Sequence, residues 1–302
     1  MSIWNQLRVT LARTWVRRIL FTLLAFGVGW VLASRLIPPP QVGVIHFQDV
    51  IWYDSADWLE AQFRYAEESP AIRAVVVVID SPGGEAAASE RLYFDLLRLR
   101  KHKPVVVMIS GMAASGGYYL AAASDAIYST PSSDVGNIGV ISMLPEDSFV
   151  EEEYLFTGPF KAFGSPRDSY VRQMEVLKES FLEAVFAQRG AILAEKNTTR
   201  TTLSRGEVYV GTLAMQLGLV DTLGSRDDAI AEAASLAKIG HYEILDITEE
   251  MSSTGQLPPL YGPITPETLP AHLRAGTWGG YEFLYLAPQL SSGYLRSTEG
   301  GE

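Results

Sequence analysis

AVVVVIDSPGG, residues 74–84, and PVVVMISGMAASGG, residues 104–117, share one build: an unbroken apolar, β-branched run that ends in a glycine-bearing turn. Such a run suits a strand covered on both faces, as in a parallel sheet, because neither side alternates with polar residues. The stretch between them, residues 85–101, reads as a helix that ends near Lys101-His102-Lys103. Upstream, VGVIHF at 42–47 reads as a first strand, and SADWLEAQFRYAEES at 55–69 as a helix with Leu59, Phe63 and Ala66 near one face. Strands alternating with helices in this way mean βαβ units: an α/β fold with a mostly parallel sheet.

Downstream the pattern continues. A helix follows Ser115, AIYST at 126–130 is a short strand, and GNIGVIS at 136–142 reads as another. Residues 173–196 and 225–238 read as helices. From about residue 250 five prolines (258, 259, 263, 266 and 270) crowd together with Gly, Tyr and Trp after them, which predicts an irregular tail, and YEFLYL at 281–286 suggests one added strand.

In an open α/β sheet, ligands sit beyond the carboxyl ends of the strands. The two glycine turns therefore face one crevice. Gly83 and Gly84 allow close approach of the backbone to a ligand. Ser115 stands where a helix begins. There its own N–H, that of Gly116 and the helix dipole would favour a developing negative charge, which suits a nucleophile of acyl transfer. The competing reading is plain: a helix N-cap beside tight turns.

A nucleophilic serine needs a base. His46 lies within an expected strand, His102 ends a helix away from the crevice, and His241 and His272 come late. Lysine serves if it is neutral. Lys161 in TGPFKAFGS, residues 157–165, is flanked by Phe160, Ala162 and Phe163, and burial among them would lower its pKa from about 10.4. A surface lysine in a loop is the alternative. Asp80 and Ser81 are expected to satisfy turn amides, and Tyr118 and Tyr119 to pack the helix. Asn197-Thr198-Thr199 fits a glycosylation acceptor, a short and weak motif.

Bulk properties narrow the function. The 302 residues carry a formal charge of −11 and no cysteine, which removes disulfide, thiol and cysteine-zinc chemistry. No His-x-x-x-His spacing or acidic cluster surrounds the four histidines, so neither a metal nor a cofactor is expected. Residues 1–40 hold five arginines and no acid, leaving −16 on the remainder. A body that acidic repels phosphate backbones and argues against nucleic acid as a partner.

ILFTLLAFGVGWVLAS, residues 19–34, is uncharged and flanked by Arg17-Arg18 and Arg35. Its length, roughly 24 Å as a helix, falls short of a bilayer core of about 30 Å, a gap that snorkelling arginines and local thinning can close. A transmembrane helix contacting lipid is expected. The arginine excess places the N-terminus in the cytoplasm and the body across the cell membrane, in periplasmic or extracellular space. An uncleaved anchor is preferred over a signal peptide cut near Val31-Leu32-Ala33. The domain plan is then 1–40 anchor and proline linker, 41–249 body, and 250–302 extension.

IDSPGG, GMAASGGYYLAAASDAIYSTP, GNIGVI, GPFKAFGS and RGEVYVGTLAMQLGLVDTLGSRDDAI, in that order over residues 42–235, resemble the signal peptide peptidase A family. These are membrane-anchored Ser–Lys peptidases of the Clp-protease/crotonase fold. The resemblance implies Ser115 as nucleophile and Lys161 as general base, with Gly84 and Gly116 as oxyanion donors. It also implies that Gly139, Val140 and Ile141 begin an edge to which an extended substrate pairs. Its substrates would be apolar peptides such as remnant signal peptides or membrane-protein segments, cut through an acyl-enzyme. It further implies a homo-oligomer in which the lysine of one subunit can meet the serine of the next. MLPEDSFVEEEYLF, residues 143–156, and Pro159-Phe160 depart from the family pattern and bear on substrate preference. Two other readings share the fold: an inactive peptide-binding membrane scaffold, and an acyl-CoA enzyme of the crotonase kind.

Overall fold

A computed structural model describes residues 15–29, 39–142, 166–257 and, as backbone, 283–286. The chain divides into two units, Met1–Pro40 and Gln41–Glu302. In the first, residues 15–29 form helix α1, with its apolar side chains turned outward. No helix among the described residues is long and apolar enough to cross a membrane. The expected span at 19–34 runs past the end of α1 into residues outside the description.

The second unit is a mixed α/β body. Strands β1 (Gln41–Phe47), β2 (Ile72–Ser81) and β4 (Val105–Ala114) form its centre, joined by helices α2 (Tyr53–Glu68) and α3 (Ala86–His102). Between β2 and α3 lies the short strand β3 (Gly83–Glu85). After β4 come α4 (Gly116–Ala121), β5 (Ala126–Ser129), β6 (Asp134–Gly136) and β7 (Ile141–Ser142). The long helix α5 (Arg167–Glu195) leads to α6 (Arg200–Leu203), β8 (Val208–Val210), α7 (Gly211–Leu217) and β9 (Thr222–Leu223). The body continues with α8 (Arg226–Leu236), β10 (Glu243–Asp246) and α9 (Ile247–Ser253), and β11 (Phe283–Leu286) is the last described strand. The main sheet runs β10-β1-β2-β4-β5-β9, every pair parallel, with β6 parallel to the far end of β4 and antiparallel to β8.

The apolar runs explain the layering. Val75, Val77, Ile79, Val105, Val107 and Ile109 face one side and pack with buried residues of α2, α3, α4 and α5. Their neighbours Ala74, Val76, Val78, Val106 and Met108 face the other and meet Ala229, Ile230, Ala233 and Ala234 of α8. Side chains alternate along a strand, so only a sheet covered on both faces can use such unbroken runs.

Three features differ from the sequence expectation. Strand β4 extends to Ala114 through a bulge: Ile79 pairs with Ile109, but Ser81 pairs with Ala113. The extra residues include Gly111, where a Cβ would lie 2.5 Å from an Asp80 carboxylate oxygen. GNIGVIS is not one strand. Gly136 (φ +105°) and Asn137 (φ +53°) break it, leaving β6 before and β7 after. The Asn137 side chain donates to the Gly206 carbonyl at 2.8 Å, which fixes that kink. Helix α9 crosses residue 250 and buries Ile247 and Met251 in the core, where the irregular tail was expected to start.

Candidate active site

Strands β2 and β4 end side by side, and each delivers one half of the site. On the β2 side, the Ser81 hydroxyl accepts from Gly83 N–H at 3.2 Å, closing the turn. The Gly83 carbonyl accepts from Ile51 N–H, and Glu85 N–H donates to the Ile51 carbonyl, both at 2.8 Å. Backbone groups of successive strand residues point to opposite edges. With residues 83 and 85 turned toward Ile51, the Gly84 amide faces the other edge. A side chain at Gly84 is excluded, because its Cβ would lie 2.0 Å from the Ile51 carbonyl oxygen. The Glu85 carboxylate then caps α3 by accepting from Ala88 N–H, an anion placed at a helix N-terminus.

On the β4 side, Ser115 connects the strand to α4. It is 1% exposed, with φ +53° and ψ −121°. Those angles match the first central position of a type II′ turn, which favours glycine. A non-glycine residue there stores on the order of 1–3 kcal/mol of strain. The capping alternative does not hold: the Ser115 side chain makes no cap hydrogen bond. Nor does its own N–H serve as an oxyanion donor, since it is bonded to the Gly136 carbonyl of β6 at 2.8 Å. The dipole argument also weakens, because α4 is six residues long.

The two halves meet at glycines. A Cβ on Gly116 would lie 3.3 Å from the Gly84 nitrogen and 2.3 Å from Ser89 Oγ. A Cβ on Gly117 would lie 2.7 Å from the Ser81 carbonyl oxygen. Glycines here let the start of α4 press against the ends of β2 and β3 and bring the Gly84 and Gly116 backbones together. The Gly116 amide also begins a helix, so it lacks an i−4 partner. Ser89, which sequence reading missed, donates to the Glu85 carbonyl at 2.8 Å and so ties α3 to β3 beside Gly116. Its spacing from Gly116 gives no signal in the sequence.

Tyr118 and Tyr119 pack. Tyr118 is fully buried and donates to the Leu219 carbonyl at 3.0 Å. Tyr119 stacks on Tyr93 with centroids 4.9 Å apart. Burial pushes both phenols well above the usual tyrosine pKa. His46 pairs with Asp246 at 3.1 Å and His102 with Glu67 at 3.4 Å, so both are engaged away from Ser115. Gly139 has open space around its Cβ position, Val140 packs against the core, and Ile141 is 40% exposed in β7. Lys161 lies outside the described residues, as do 143–156.

The structure thus places a buried serine on a strained strand-to-helix turn, with glycine amides beside it, at the end of a parallel sheet. The Clp protease family model matches residues 41–135. The model of peptidase family S49 matches residues 98–240. Among the chain's relatives is Protease 4 of Haemophilus influenzae, 32% identical over 194 residues, covering 60% of this chain and 31% of that one. Protease 4 of Salmonella typhi is 33% identical over 198 residues, covering 62% and 32%. The chloroplastic serine protease SPPA of Arabidopsis thaliana is 29% identical over 214 residues, covering 67% and 32%. The chain thus spans about a third of the length of these relatives.

Proposed function

We propose that the protein is a membrane-anchored serine endopeptidase acting through Ser115 and Lys161. The observation that carries this reading is the Ser115 backbone, φ +53° and ψ −121°, at the end of β4 beside the Gly84 amide. A packed protein retains such a strained residue where its hydroxyl must project from a fixed point. Neutral Lys161 takes the hydroxyl proton as Ser115 Oγ attacks the peptide carbonyl. The Gly84 and Gly116 amides hold the resulting oxyanion, each worth about 100- to 1,000-fold in rate. Lys161 returns the proton to the leaving amine, and water then releases the acyl group from Ser115 by the same route.

The substrates of this reading are extended, mostly apolar peptides, such as remnant signal peptides or membrane-protein segments, paired to the edge at 139–142. Residues 1–40 serve as anchor and linker, 41–249 as the peptidase body and 250–302 as an extension. The outward apolar side chains of α1 support the anchor, with the N-terminus cytoplasmic and the body periplasmic or extracellular. Subunits assemble as a homo-oligomer, in which Lys161 can meet either the Ser115 of its own chain or that of a neighbour.

A fluorophosphonate probe tests this. The full chain should label on Ser115, Ser115→Ala should not label, and Lys161→Ala should label far more slowly. Loss of the nucleophile should lower peptide turnover on the order of a million-fold. Labelling that survives Ser115→Ala sinks the assignment. Mixing Ser115→Ala and Lys161→Ala subunits should restore turnover if the lysine acts across subunits, and no recovery refutes that sharing.

A further inference from the structure

Strands β3 and β7 do not pair with each other; β11 lies between them. Its register on β3 sets Leu284 opposite Glu85, Tyr285 opposite Gly84 and Leu286 opposite Gly83, all antiparallel. Its register on β7 sets Phe283 opposite Ser142 and Leu284 opposite Ile141, again antiparallel. Four residues from the C-terminal extension therefore fill the space between the strand that carries Gly84 and the edge that begins at Ile141. The Gly84 amide, turned away from Ile51, faces this strand. A peptide adding to either edge would need the place that β11 holds. The occupant also has the chemistry of the proposed substrates: YEFLYL, residues 281–286, is apolar and aromatic in sequence apart from one acid, and its residues 283–286 form a strand.

We propose that residues 283–286 are an internal competitor for the peptide groove, so that the chain holds itself closed until this strand leaves. The proposal rests on the reading of β3 and β7 as the walls of the peptide site. Being tethered, the segment acts at an effective concentration in the millimolar range, above that of most free peptides. A groove open for only a tenth of the time would bind an outside peptide about tenfold more weakly than its intrinsic affinity. The register also fixes polarity: a peptide that replaces β11 runs antiparallel to both walls.

The absence of cysteine allows a clean test in the full chain. Ser142 and Phe283 are direct antiparallel partners, and such pairs have Cα atoms about 4.5–5.5 Å apart, within disulfide reach. Ser142→Cys combined with Phe283→Cys should form one intramolecular bond on oxidation. Two readouts follow in that protein: anisotropy of a fluorescent peptide copying residues 279–290, in a Ser115→Ala background, and fluorophosphonate labelling of Ser115. Oxidation should weaken peptide binding at least about tenfold relative to the reduced protein and slow labelling, with both restored by reductant. Leu284→Pro, which removes an amide from a central strand, should strengthen binding up to about tenfold. Failure of the cysteines to link, or equal peptide binding in the locked and reduced forms, overturns the inference. Peptide binding that responds while Ser115 never labels keeps the inference and removes the serine peptidase reading instead.

Discussion

Ser115 sits where an L side chain is poorly accommodated, and its neighbours dictate this. Its N–H is spent on the Gly136 carbonyl, and its carbonyl accepts from Tyr119 N–H at 2.9 Å, so the peptide groups on both sides are pinned. A side chain at Gly116 would meet Ser89, and one at Gly117 would meet Ser81. The turn is therefore imposed by strand β6 and by the packing of α4, and the serine absorbs the strain. Glycine at this position should release it. Ser115→Gly should melt a few degrees above Ser115→Ala, because alanine keeps the Cβ at positive φ and glycine does not; strain of 1–3 kcal/mol is partly offset by about 0.4–1 kcal/mol of unfolded-chain entropy. Calorimetry on the two variants decides it, and an alanine variant that melts higher would mean the turn stores no strain. The glycines and the serine were legible as residues that permit close approach. The loss of the Ser115 N–H to Gly136 was not, because it depends on β6 pairing with β4 from 21 residues away, a contact that local spacing does not encode.

At the scale of elements, α2 and α3 lie together over the sheet, and their contact includes one poorly matched carboxylate. Asp95 is buried; one of its oxygens accepts from Arg98 at 2.8 Å, and the other has no partner among the described residues. Burial, and then the nearby Glu60 charge, raise its pKa above the ordinary 3.8. The folded chain thus binds this proton more tightly than the unfolded chain. Its contribution to stability is greatest at low pH and is lost as pH rises past 3.8 through the raised folded value. Asp95→Asn keeps an acceptor for Arg98 and removes the charge, so it should raise the melting temperature at pH 7 and flatten the fall above pH 4. A variant that melts lower at pH 7 would show that the Arg98 pairing outweighs the desolvation. The elements that carry such contacts were readable where they are long and periodic: β1, β2, α2, α3, the start of β4, and α8. The short pieces β6, β8, β9 and β10 were not, since two to four residues give no period to detect. The break within GNIGVIS was hidden for another reason. At Gly136 and Asn137, both at positive φ, the partners are distant in sequence: the Glu207 carbonyl accepts from Asn137 N–H and the Gly206 carbonyl from the Asn137 side chain, both at 2.8 Å and about 70 residues away.

At the scale of the whole molecule, charge and hydropathy divide at the same place. Residues 1–40 hold five arginines and no acid, and the rest carries −16. Helix α1 turns Ile19, Leu20, Phe21, Leu23, Leu24 and Phe26 outward, each more than half exposed. At about 25 cal/mol per Å² of apolar surface, a row of such side chains costs many kcal/mol in water, and lipid removes that cost. An acidic body is also repelled by the anionic cytoplasmic leaflet, whereas the arginine-rich segment is drawn to it. The full chain should therefore stay with membranes through alkaline carbonate extraction. Leu20→Arg together with Leu24→Arg should move it to the extracted fraction, since each arginine at a helix centre costs about 2.5–3.5 kcal/mol on insertion. Protease added outside intact cells freed of any outer envelope should then digest the body of the unaltered protein while sparing a tag before Met1. If carbonate alone releases the unaltered chain, α1 rests on the surface, and the arginines act by attraction to headgroups without setting a topology.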